Sequence, residues 1–131
     1  MDDLDLLRRE FAAEEGTFLG QLRPDLVWDR DAFGRLERAM RRVCAAFEGR
    51  DELPRWLVEG FWCCADWVPD WTGHPNFPRP EPPEYYDQAM ERLDDLQFWF
   101  VMGESNYLPD HVWEDLSGRA WATCVDLFAT A

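Results

Sequence analysis

Apolar residues recur along this chain at spacings of three and four, and no stretch alternates convincingly as a half-buried strand would. Five helical segments follow from that pattern. The first covers about residues 2–22, with Leu4, Leu7, Phe11, Phe18 and Leu22 on one face. Asp2 and Asp3 suit its positive N-terminal end, while Gly16 and Gly20 weaken its second half and mark a point of breakage near Gly16. The second covers about 30–48, capped by Asp29 or Asp31, with a stripe of Phe33, Leu36, Met40, Val43, Cys44 and Phe47. Arg35, Arg38 and Arg42 lie opposite, and Gly49 suits the left-handed position past its end.

The third segment, about 53–68, has two adjacent apolar rows. One is Trp56, Gly60, Cys63 and Trp67; the other is Leu57, Phe61, Cys64 and Val68. A helix this apolar is expected to be buried by several neighbours, and Pro69 is expected to stop it. Residues 69–83 then carry six of the nine prolines, so no helix is expected there. Trp71, His74 and Phe77 argue against a solvated spacer; an ordered loop with its rings packed on the core is predicted. The fourth segment, about 83–102, has Tyr86, Ala89, Met90, Leu93, Leu96 and Phe100 as its stripe and Gly103 as its stop. The fifth, about 109–129, follows Pro109, with Val112, Trp113, Leu116, Ala120, Cys124, Leu127 and Phe128 facing inward. The expected architecture is all-α: a single compact five-helix domain over residues 1–131, with the Pro-rich ordered loop between the third and fourth helices.

Composition sharpens this picture. At 131 residues with 47% hydrophobic and 15% aromatic content, the chain can bury a core and is too apolar for an acidic disordered segment. Net charge is −14, unevenly placed: residues 1–50 hold eleven acids against nine arginines, residues 51–131 sixteen against four. Such a field repels nucleic acid and anionic membranes and attracts basic protein surfaces. All thirteen basic residues are Arg and there is no Lys or Ile, which reads as a GC-rich, bacterial genome. The acidic start, MDDLDLLRRE, is unlike a signal peptide, no run is long enough to span a membrane, and a cytoplasmic protein is expected. In that compartment Cys44, Cys63, Cys64 and Cys124 read as reduced, small hydrophobes rather than as a metal or redox set.

The sharpest pattern lies on the fourth segment. Glu84, Asp87, Glu91 and Asp95 share one helix face, with Asp94 beside them and no basic residue in the row. Like charges at these spacings each cost a few tenths of a kcal/mol. Solvent and salt screening, or a basic partner, must offset them. Phe98 and Met102 project on this acidic side, as an interface centre with a charged rim would. The competing expectation is that the loop from Glu104 to Leu108 folds back over them.

No catalytic signature appears: neither a nucleophile elbow, nor a phosphate loop, nor a Cys–His pair, and serine occurs only at Ser105 and Ser117. No Glu-x-x-His pair supports a carboxylate metal centre, and no cofactor is expected. His74 and His111 read as a loop histidine and a first-turn residue. The expectation is a non-enzymatic acidic protein-binding module. In concrete form it is an immunity or antitoxin-type inhibitor occupying a basic, nucleic-acid-binding or nuclease site by charge mimicry. Glu84, Asp87, Glu91, Asp94, Asp95, Phe98 and Met102 would form its docking set. The alternative is a small-molecule-binding or enzyme accessory protein, with an aromatic pocket of Trp67, Trp71, His74 and Phe77 under the Pro-rich loop.

Overall fold

The computed structural model describes residues 2–117. Among them are five helices and no strand: α1 (Asp3–Phe11), α2 (Phe18–Leu22), α3 (Arg30–Ala46), α4 (Arg55–Thr72) and α5 (Pro83–Met102). The all-α class expected from the pattern is observed, with the five helices distributed differently along the chain.

The stretch 2–22 is two helices, broken near the predicted glycine. Gly16 sits at φ +85°, a turn that side chains with a Cβ rarely adopt. Thr17 then caps α2, its hydroxyl oxygen accepting the Gly20 N–H at 3.0 Å. Glu10, on the last turn of α1 and only 4% exposed, completes the junction. Its two carboxylate oxygens accept the N–H groups of Phe18 (2.7 Å) and Leu19 (3.2 Å), donors that the start of a helix leaves open. Burial pushes the Glu10 carboxyl above its ordinary pKa, against the lowering effect of those two bonds and of the Arg35 charge.

Asp29 caps α3, accepting the Ala32 N–H at 3.1 Å, and that bond holds its pKa below the usual value. The predicted stripe Phe33, Leu36, Met40, Val43 and Cys44 is buried. Past α3, Gly49 lies at φ +73° and donates its N–H to the carbonyl of Gly103, which ends α5 at φ +80°. The two helix ends are thereby tied together.

Pro69 does not stop α4, which continues to Thr72. An interior proline costs about 3 kcal/mol through a lost bond and a clash. The turn beyond it is held by tertiary contacts instead. Thr72 is fully buried and donates to the Val68 carbonyl at 2.7 Å, and its hydroxyl meets that of Tyr86 at 2.7 Å. Trp71 Nε1 donates to the Leu22 carbonyl at 2.8 Å. The Thr72–Tyr86 contact at one end and the Phe61–Phe100 ring stack (4.4 Å between centroids) at the other make α4 and α5 an antiparallel pair. Gly60 lets α1 approach α4: a Cβ there would fall 2.0 Å from the Phe11 ring.

Residues 109–117, assigned from their spacing to a fifth helix, are not helical. They form a strap running back along α5 and α3. Leu116 is 1% exposed, as its apolar character predicts, whereas Val112 is 83% exposed. Side chains of α5 satisfy the strap's carbonyls in place of a helical ladder: Tyr85 donates to Leu116 (2.7 Å) and Arg92 to Glu114 (3.2 Å). The rest of the expected fifth helix, with Ala120, Cys124, Leu127 and Phe128, lies outside the described residues. None of the described helices is long and apolar enough to cross a membrane.

Candidate functional site

α5 buries Tyr85, Ala89, Arg92, Leu93, Leu96, Trp99 and Phe100 on one side. The 3.6-residue period therefore turns the acidic row outward. Glu84, Asp87, Glu91 and Asp94 are exposed, and Asp95 is half-buried. Among the described residues the ion pairs are Arg38–Asp115, Arg41–Glu37, Arg42–Asp3 and Arg92–Glu37, so none reaches the row. Arg38, Arg41 and Arg42 of the N-terminal portion are engaged elsewhere: Arg42 Nε donates to both oxygens of Asp3 at 3.0 and 2.9 Å.

Asp95 is the one member drawn inward. Its carboxylate accepts the Tyr107 hydroxyl at 2.6 Å, and that bond is the main reason the Tyr107 pKa is pushed up to about 12. The loop after α5 does fold back, but toward Asp95 and Trp99. It leaves Phe98 39% and Met102 62% exposed. Two further apolar residues join them. Val101 is 48% exposed and Trp62 56%, and they follow directly on Phe100 and Phe61, the pair whose rings stack across α4 and α5. The outer face of α5 thus reads as four carboxylates followed, toward the helix end, by exposed Phe98, Val101 and Met102. Trp62 neighbours the polar positions Glu59 and Asp66 of its helix, which mark an outward side, whereas Val101, a lone valine at a helix end, carries no such signal.

The inner side of α5 holds charges that pattern reading did not place. Glu37, 2% exposed, pairs with Arg92 at 2.5 Å and with Arg41 at 2.7 Å. The guanidinium of Arg92 also lies 5.0 Å from the ring centre of Trp113, which stacks on Trp99 at 5.8 Å. Trp99 in turn donates to Glu48 at 2.8 Å. His111, expected in a helical first turn, stacks on Tyr107 at 4.0 Å.

The second predicted set comes together in part. Trp71, His74 and Phe77, with Leu26 and Asn76, line a hollow of about 250 Å³. Trp67 is not on its wall; it stacks behind Trp71 at 5.7 Å. His74 Nδ1 accepts the Asn76 N–H at 3.2 Å. Cys44 and Cys64 are buried and Cys63 half-buried, with burial raising each thiol pKa; Cys124 lies outside the described residues. Among the described residues no three His, Cys, Asp or Glu side chains gather closely enough to hold a metal ion.

No protein-family model, no curated protein and no solved structure matches this chain.

Proposed function

We propose that this protein is a non-enzymatic binding module that docks the outer face of α5 onto a basic site of a partner protein. The observation that carries the reading is the row Glu84, Asp87, Glu91 and Asp94. It is exposed, without an arginine partner among the described residues, and followed along α5 by the exposed Phe98, Val101 and Met102. A carboxylate row steers association and selects a cationic surface, while desolvated aromatic and thioether groups supply most of the affinity. In concrete form the partner is a nuclease or other nucleic-acid-handling protein whose cationic groove accepts these carboxylates in place of phosphates, the action of an immunity or antitoxin-type inhibitor.

The test is capture from the native host with the wild-type chain and two double variants. Asp87→Arg with Glu91→Arg reverses the row. Glu14→Arg with Glu15→Arg makes the same change in net charge at exposed positions near α2. The expected result is a partner lost by the first variant, kept by the second, and released by nucleic acid or rising salt. A partner kept equally by both variants overturns the reading.

A further inference from the structure

We propose that the hollow beneath the Pro-rich loop binds a small, uncharged, planar aromatic compound that carries a hydrogen-bond acceptor. The inference is independent of the docking face, which lies elsewhere on α5. The walls of the hollow are mostly apolar: Leu26, the Trp71 ring and Phe77, with His74 and Asn76 as its polar contributors.

These walls are fixed in place. The Trp71 ring is anchored by its bond to the Leu22 carbonyl and backed by the parallel ring of Trp67. Phe77 is 4% exposed and closes the floor. Leu26 is the unusual member. It sits at φ +56°, a conformation that is an outlier for a bulky side chain, yet its side chain stays 36% exposed at the rim. A strained leucine half in water gains little from core burial; over an apolar ligand it would gain a contact.

The polar groups set the ligand's chemistry. His74 accepts at Nδ1, so the neutral ring carries its proton on Nε2 and offers a donor. The Asn76 side-chain amide has no partner among the described residues. The Trp71 N–H is already used. An acceptor on the ligand therefore has two donors to choose from. The volume of about 250 Å³ falls below that of drug-sized pockets, roughly 300–1,000 Å³, so a molecule of one or two rings fits. A net charge of −14 disfavours anions, and the lining holds no carboxylate to pair a cation, hence the uncharged class.

Quinoline, uncharged at neutral pH, is a suitable probe, followed by the indole N–H resonances of the labelled protein. The expected result is a saturable shift of the Trp71 signal with a dissociation constant of about 1 mM, the scale for roughly ten non-hydrogen atoms. The Trp62 and Trp99 signals should stay put. Leu26→Gly removes the rim and suits the positive φ, so it should keep the folded spectrum and weaken the shift at least tenfold. Asn76→Phe fills the hollow from an exposed position and should abolish it. No saturable Trp71 shift at ten times that concentration, or equal affinity in both variants and wild type, overturns the proposal.

Discussion

Glu91 and Arg92 are neighbours on α5 and live under opposite electrostatic conditions. Arg92 is 5% exposed, clamped to Glu37, donating to the Glu114 carbonyl and lying over Trp113. Glu91 is exposed and has no ion-pair partner among the described residues. The strap of residues 109–117, with the loop of 104–108 that leads into it, makes the difference. On the side it covers, charge is neutralised and locked into the fold. On the bare side, charge of one sign accumulates and is free to act on something else. A surplus of acid in a sequence says nothing about which of these fates each carboxylate meets; the helix face decides it.

The comparison breaks most severely at the buried cluster. Glu37→Ala strands two guanidiniums, one of them almost fully buried, and should lower the unfolding free energy in urea by about 3–5 kcal/mol. Loosening the strap should come next. Trp113→Ala removes a half-buried ring shared by Trp99 and Arg92 and should cost about 2–3 kcal/mol. Hydrogen exchange should then quicken across 104–117 while α1 and α2 keep their protection; uniform loss of protection would show that the strap is no separate unit.

Glu10→Gln is a smaller perturbation. One of two buried backbone N–H groups would face an amide donor, at a cost of about 1–3 kcal/mol at neutral pH. The pH dependence carries a sign. Glu10 has a raised folded pKa, so its contribution is full below its unfolded value of 4.5 and declines as pH rises through the folded one. The stability gap between wild type and Glu10→Gln should therefore narrow from acid toward neutral pH. The least effect is expected on the bare face. Asp87→Arg turns repulsions with Glu84 and Glu91 into attractions and should stabilise the free protein by a few tenths of a kcal/mol at low salt, fading as salt rises. A loss above about 1 kcal/mol would mean that the row is part of the fold rather than a free surface.

What the sequence made legible follows from local physics. The period of three to four, the Asp29 cap and the stops at Gly49 and Gly103 are decided within a few residues, and they hold. The outward turn of the acidic row follows from helix geometry alone. Pro69 misled because the contacts that carry α4 past it come from Leu22 and Tyr86, distant in sequence. The strap misled differently. Trp113 and Leu116 do pack inward, but apolar spacing does not distinguish a helix from an extended segment laid on a ring stack and two donated hydrogen bonds. Glu10, Glu37 and Arg92 were out of reach because charged residues read as surface until their partners are seen.

Trp62 also gives this molecule a built-in optical gauge. Of the described tryptophans it is the most exposed, at 56%, and the exposed carboxylates Glu59 and Asp66 flank it at three and four residues along α4. Collisional quenchers of opposite sign should therefore reach its indole unequally, with caesium gathered by the local potential and iodide turned away. The ratio of the two quenching constants measures that potential directly, and its collapse on adding a second macromolecule would report occupancy of the face without any label attached.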